Sequence, residues 1–227
     1  VCLAGAVSSE GFKAFSVHDV EGLEVERILQ GKRSVREFLP DAIPKEILSE
    51  LVRYGEMAPS SRNTRGRKYF VVTGSRVTEL EREVIAGLNS VAGPAAFLAP
   101  VLRLFSRKRA ESLSSLKKLF SSMQSAFDSG KHPVLCGAPA VICIASPASN
   151  MQGKDDCVCS EQYLMLYAES IGVASCINGF TQIAHKNAER FLGVPKGYPI
   201  HAAVMLGYPK YSYKRYVRYG EDITWVE

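Results

Sequence analysis

The chain has 227 residues, 46% of them hydrophobic and 22% charged, with a mean hydropathy of −0.02. That apolar content offsets ordering entropy and excludes a disordered chain. The length allows one large domain, or one domain with a small extension. No apolar run reaches the ~18 residues of a membrane span; the most apolar stretch, Ala138–Ala145, is far shorter. No membrane partner is expected. The net charge of +5 and pI of about 8.9 suit an anionic small molecule or a nucleic acid. No zinc-finger, basic-zipper or aromatic RNA-reading pattern accompanies the charge, so no nucleic acid is expected.

The six cysteines are dispersed, and Cys136, Cys143 and Cys176 lie in apolar surroundings. Free thiols there behave as small hydrophobes, which points to a reducing, cytoplasmic compartment. No basic segment precedes the apolar Val1–Val7, so no secretory leader is read. Cys157 and Cys159 lack the second pair that a zinc site needs, and no metal is predicted.

Residues 1–20 read as an irregular N-terminal extension and residues 21–227 as one domain. The spacing predicts a helix over about Leu23–Gln30, stopped by Gly31. Lys32–Phe38 reads as a basic turn or a second short helix. Pro44 opens a helix with Ile47, Leu48, Leu51 and Val52 on one face, ending near Ala58-Pro59. Lys68–Thr73 reads as a buried strand closed by Gly74. Thr78-Glu-Leu-Glu81 has the form of a capping box, opening a helix to about Asn89. Ala92–Pro100 interrupts that pattern. Ser106–Phe127 reads as a long amphipathic helix and Gly130–Pro133 as a loop. Ala140–Ala145 reads as a buried β-branched strand. Asp155 or Asp156 caps a helix to Ser170. Gly172–Ile177 is a short strand. Thr181 caps a helix ending at Gly193-Val-Pro195, and His201–Leu206 is the last strand. The tail Tyr208–Glu227 is polar and aromatic, with no core pattern of its own. Helices outnumber strands and separate several of them. That argues for an α+β fold, a mixed sheet covered by helices on both faces.

The chain has no Gly-x-Gly-x-x-Gly after a strand, no Walker loop, no His-Glu-x-x-His and no Gly-x-Ser-x-Gly. A Rossmann site, P-loop chemistry, a zinc hydrolase and a serine elbow are therefore unsupported. The densest signal is Lys32-Arg33-Ser34-Val35-Arg36-Glu37-Phe38. Arg offers planar forks to phosphate oxygens, Lys a point charge and Ser a further donor. Alone, the cluster also reads as a solvated basic turn. Ala58-Pro59-Ser60-Ser61-Arg62-Asn63 offers short polar groups to a ring's carbonyls, or forms a simple turn. In Gly172-Val-Ala-Ser-Cys-Ile-Asn-Gly179, Gly179 lets backbone approach a flat ligand, or closes a strand-to-helix turn. Lys210–Arg218 carries Lys214, Arg215 and Arg218 among tyrosines, and by itself reads as an exposed basic tail.

Taken together and in this order, these segments resemble the FMN-dependent nitroreductase family over roughly Leu23–Glu227. Arg33-Ser34-Val35-Arg36-Glu37-Phe38, Ala58–Asn63, Gly137-Ala138-Pro139, Gly172–Cys176, Leu192–Pro195 and Gly207–Pro209 carry the resemblance. It implies a three-layer sandwich, a mixed sheet between helices, and an intertwined homodimer with FMN at its interface. Lys32, Arg33, Ser34 and Arg36 would then hold the FMN phosphate and ribityl chain. Pro59, Ser60, Ser61 and Asn63 would line the flavin from the other subunit. Asn178 and Gly179 would lie beside the isoalloxazine, with a backbone N–H near N5. Arg215 or Arg218 would complete the phosphate site. Two departures stand out: Arg65-Gly66-Arg67 replaces a frequent Gln-Pro-Trp, and Asn178 stands where some relatives have Glu. Both positions bear on nicotinamide or substrate choice.

The resemblance implies an oxidoreductase that takes hydride from NADH or NADPH and reduces a small acceptor by a two-step exchange. The acceptor is a nitro compound, a quinone or similar. Flavin carries that chemistry, so no catalytic side chain is assigned. None of the four His residues falls in a matched motif, and His185 and His201 read as packing. A flavin-binding electron relay coupled to ferredoxin, without nicotinamide turnover, is the alternative. A thiol or metal protein built on Cys157 and Cys159 is a third. The basic segment Arg103–Lys118 would favour an anionic substrate, dock an acidic ferredoxin, or form a solvated helix face. Val1-Cys2-Leu3-Ala4-Gly5-Ala6-Val7 resembles the end of a bacterial ferredoxin motif, which makes residues 1–20 a candidate remnant of such a segment. Cys2 alone cannot hold a four-cysteine cluster, and a frayed apolar terminus is an equal reading.

Overall fold

Every residue of the run Ala140–Ala145 is buried. A strand apolar on both faces must be covered on both, and the surrounding elements supply that cover. The computed structural model describes residues 22–97, 107–213, 220 and 222–226. In chain order they form α1 (Gly22–Gly31), α2 (Lys45–Glu56), β1 (Lys68–Thr73), α3 (Ser75–Phe97), α4 (Arg107–Asp128), β2 (Ala140–Ala145), α5 (Gly153–Ser170), β3 (Ala174–Ile177), α6 (Gly179–Ile183), α7 (His185–Leu192) and β4 (Ile200–Gly207).

The strands lie in the order β1-β2-β4-β3. Side chains alternate across β2, which sorts its residues into two cores. Val141, Cys143 and Ala145 pack with Leu80, Val84, Ile85 and Leu88 of α3 and Phe120 and Met123 of α4. Ala140, Ile142 and Ile144 pack with Leu48 and Leu51 of α2 and Leu164, Met165 and Ala168 of α5. Each fully buried Leu or Ile contributes about 1.5–3 kcal/mol. The result is the α+β arrangement of helices, sheet and helices that the sequence pattern predicts.

The sheet differs from the mixed one expected. All of its strand pairs are antiparallel. Among the described residues the parallel pairing is the isolated bridge Ser34–Ser175. The cause is topological. β2 and β3 both run antiparallel to β4, so they are parallel to one another, as a helical crossover requires. β4 inserts between them and removes the parallel ladder.

Five local expectations are corrected. β1 is not the buried strand expected: it lies at the sheet edge beside β2 alone, and of its residues Val72 is buried while Val71 is exposed. Lys32–Phe38 is neither turn nor helix: Ser34 bridges Ser175, Phe38 bridges Pro209, and Leu39 N donates to Tyr208 O at 2.8 Å. α3 starts at Ser75 and runs to Phe97, past the interruption read at Ala92; propensity is a weak prior that context overrides. Thr78 therefore lies inside α3, and Glu81 serves a different loop. α5 begins at Gly153 with Gln152 as its N-cap, while the Asp156 carboxylate turns to Ser61 and Asn150. The last predicted helix is two, α6 and α7, and Asn178 rather than Thr181 caps α6.

Candidate functional site

The basic segment leaves α1 at Gly31 and runs beside β3. The half-buried Lys32 donates its ammonium to Arg33 O at 2.5 Å and Ser175 O at 3.2 Å. Burial pulls its pKa below the usual lysine value, against the opposing pull of the Glu169 charge. The Arg33 guanidinium donates to Gln30 O at 2.6 Å and Lys32 O at 2.8 Å. Arg36 is exposed, its guanidinium 3.5 Å from Ser34 O. Ser34 is exposed opposite Ser175, whose hydroxyl is buried without a partner. Neither Lys32 nor Arg36 forms an ion pair among the described residues. Cations held by neutral carbonyls keep their charge for an incoming anion, and this donor set fits a phosphate. A cleft of about 400 Å³ opens here, lined by Arg33, Val35, Gly172, Lys210, Tyr211 and Tyr213 among others.

β3 leads from Ser175 to the second group. Asn178 is only 3% exposed. Its Oδ1 accepts from Thr181 N at 2.8 Å and Thr181 Oγ1 at 2.9 Å, and its Nδ2 donates to Val134 O at 2.7 Å. The Asn178 side chain is thus engaged inside the protein and presents nothing to a ligand. What faces outward is Gly179, with nothing within 4 Å of where its Cβ would be. Behind this turn sits Glu81, fully buried. Its carboxylate accepts from Val134 N at 2.8 Å and Leu135 N at 2.9 Å, and contacts His132 Nδ1 at 2.8 Å. Glu81 therefore supports the loop whose carbonyl holds Asn178.

The third group, Pro59–Asn63, closes on α5 instead. Ser61 N donates to Asp156 Oδ1 at 2.8 Å, and the Ser61 hydroxyl bonds the Gln152 side chain. Ser60 Oγ accepts from Arg65 N at 3.0 Å, and Asn63 Oδ1 from Arg65 Nε at 3.1 Å. Pro59 and Asn63 are exposed. The loop hangs on Arg67, 7% exposed. Its guanidinium donates to the carbonyls of Glu56, Ala58, Pro59 and Asp156 at 3.2, 2.8, 3.3 and 3.2 Å. A cleft of about 550 Å³ lies against this loop, lined by Ser61, Arg62, Thr64, Asn150, Met151 and Gln152 among others.

The fold thus joins Lys32–Arg36 to Asn178–Gly179 through β3. It sets Ser61 and Arg62 of the Pro59–Asn63 loop on a separate cleft that shares no lining residue with the first. Arg215 and Arg218 lie outside the described residues, as do residues 1–20, Cys2 and Arg103–Ser106. Sequence reasoning missed Arg67 and Glu81 as supports. Arg67 carried a weak signal as part of Arg65-Gly66-Arg67 at the entrance of a strand, where the family pattern is departed from; Glu81 carried none for this role, because its partners lie in a distant loop. Among the described residues, no group of three or more His, Cys, Asp or Glu is placed to hold a metal. No described helix is long and apolar enough to cross a membrane.

The nitroreductase family model matches residues 29–208, so the chain belongs to the nitroreductase family. It is 29% identical over 162 residues to a 4-nitrobenzoate reductase of Pseudomonas putida, covering 67% of this chain and 71% of that protein. The fold is similar to a nitroreductase with bound FMN from Bacteroides fragilis, at 22% identity and a TM-score of 0.66, covering 90% of this chain and 99% of that one. It is also similar to an FMN-dependent nitroreductase from Mycobacterium smegmatis in complex with NADPH, at 20% identity and a TM-score of 0.59, covering 84% and 90%.

Proposed function

We propose that the chain is an FMN-dependent oxidoreductase that takes hydride from NADH or NADPH and reduces a small acceptor by a ping-pong mechanism. The acceptor is a nitro compound, a quinone or a similar molecule. The observation that carries this reading is the Ser34–Ser175 bridge. It sets Lys32 and Arg36, which form no ion pair among the described residues, beside the strand that leads to the open Gly179. The FMN bound by one relative, the NADPH bound by another and the 4-nitrobenzoate named for a third support it.

Bound FMN supplies the two-electron chemistry, receiving hydride from a nicotinamide and passing electrons to the acceptor. The chain binds and orients. Lys32, Arg33, Ser34 and Arg36 hold the phosphate and ribityl chain. Gly179 brings a backbone N–H against the ring, and Asn178 fixes that turn without touching the ligand. Arg215 or Arg218 adds a further cation. The loop Pro59–Asn63 borders a cleft apart from the basic segment through Ser61 and Arg62, which supports a homodimer in which the partner subunit supplies Pro59, Ser60, Ser61 and Asn63 to the ring. With the redox chemistry supplied by FMN, no side chain of this protein need shuttle protons that water can deliver. The free thiols of Cys136, Cys143, Cys157, Cys159 and Cys176 support a reducing, cytoplasmic setting.

Steady-state kinetics test the reading. NADH or NADPH oxidation is followed against menadione and a nitroarene at several fixed donor concentrations. Parallel double-reciprocal lines are expected. Intersecting lines would overturn the ping-pong order. No oxidation with either donor, although flavin is bound, would favour an electron relay served by ferredoxin.

A further inference from the structure

Arg62 differs from the other cations of the site. Arg67 is buried among four carbonyls. Lys32 and Arg33 donate to backbone oxygens, and Arg65 Nε bonds Asn63. The exposed Arg62 guanidinium has no hydrogen bond or ion pair among the described residues.

Its backbone is also unusual. Arg62 sits at φ 52, ψ 21, and Asn63 and Arg65 have φ of 55 and 45. A left-handed conformation at a non-glycine residue costs about 1 kcal/mol or more. It persists only where the surroundings over-determine it. Here the Arg67 bonds, the Ser61 N–Asp156 bond and the seat of Gly66 on Pro147 do so; a Cβ on Gly66 would stand 3.2 Å from the Pro147 ring. The strain places Arg62 on the wall of the 550 Å³ cleft.

That cleft holds one cation and no anion among its lining residues, the rest being neutral. The carboxylate that the loop bonds, Asp156, is occupied by Ser61 N and Asn150 Nδ2. Met151, fully exposed, and Pro147 add apolar surface suited to a flat ring. A guanidinium without a counterion, beside such a surface, matches a carboxylate on an aromatic molecule.

We propose that Arg62 is a specificity-determining residue that binds the carboxylate of an anionic aromatic acceptor. The proposal rests on the reductase reading above and adds the substrate class. For a nitroarene, each two-electron turnover consumes one NAD(P)H and one proton. The nitro group loses one oxygen as water and becomes nitroso, and NAD(P)⁺ is released.

The test uses the flavin-loaded protein with 4-nitrobenzoate and its neutral analogue 4-nitrobenzamide. In the wild type, kcat/KM is expected to favour the benzoate by about ten- to hundredfold, the range of a charge-assisted pair. In Arg62→Gln the ratio falls towards one. Arg62→Lys keeps part of the preference, and added salt erodes it in the wild type. Arg62→Gly, which relieves the backbone strain, loses the preference while its unfolding midpoint holds or rises. Equal use of both acceptors by the wild type would overturn the proposal and leave the reductase reading standing. A change in the NADPH-to-NADH ratio, with the benzoate preference intact, would assign Arg62 to the nicotinamide's extra phosphate and also overturn it. No nicotinamide oxidation with these or with menadione would remove the reductase reading itself.

Discussion

Lys32 donates its ammonium to the backbone carbonyl of Ser175 across 3.2 Å. The first cation of the basic segment is thereby tied to the strand that ends two residues before Gly179. Burial lowers the Lys32 pKa, and a bound phosphate favours the charged form. FMN affinity is therefore expected to fall as pH rises through the lowered pKa, and binding to take up protons there. Fluorescence titration of FMN from pH 7 to 10 checks this. Lys32→Arg, which stays charged, should show no such fall, and Lys32→Gln should bind about ten- to hundredfold more weakly at pH 7.

Gly179 offers a separable test. Its Cβ position meets nothing within 4 Å, and it begins α6 without a positive φ. Gly179→Leu should keep the thermal midpoint within a degree or two and lose most of the flavin. Equal loss of stability and flavin would mean that the position serves the fold.

Arg67 is expected to act through the loop it holds. Arg67→Met leaves four carbonyls without their donor, and removing one member of a buried polar network costs about 3 kcal/mol. Urea unfolding should show the loss. Trypsin cleavage after Arg62 and Arg65 should accelerate in the variant before global unfolding begins.

Glu161 gives a pH prediction away from the site. It is 1% exposed, one carboxyl oxygen has no partner, and burial pushes its pKa up to about 8. The unfolded chain releases this proton near the ordinary 4.5, while the fold retains it to about 8. Stability is thus fully present below pH 4.5 and declines as pH rises from there to 8, by up to ~1.4 kcal/mol per pH unit. Urea midpoints of wild type and Glu161→Gln should diverge over that window, with the variant losing less.

Much of this was legible along the chain because it is local. Lys68–Thr73 and Ala140–Ala145 match β1 and β2 in their bounds. The Pro59–Asn63, Lys32–Arg36 and Asn178–Gly179 segments could be singled out for the same reason. The burial read for both strands holds for β2 alone, because a strand's place at the sheet edge is not written in its own residues. The rest depends on partners distant in sequence. Glu81 has the spacing of a helix cap, yet it answers two N–H groups beyond residue 130. Asn178 offers the polar group of a ligand contact, yet capping and the Val134 carbonyl use all of it. The antiparallel sheet follows from β4 entering between β2 and β3, an order no local pattern encodes. Arg62 looks like any loop cation in sequence; its backbone angles and its lack of a partner among the described residues set it apart.

The most direct test is the visible spectrum of the purified protein, recorded anaerobically before and after NADH and then NADPH. An oxidised-flavin spectrum near one FMN per chain is expected, bleaching with at least one donor and returning when acceptor is added. A protein that takes up no FMN on reconstitution would contradict the reductase reading at its root.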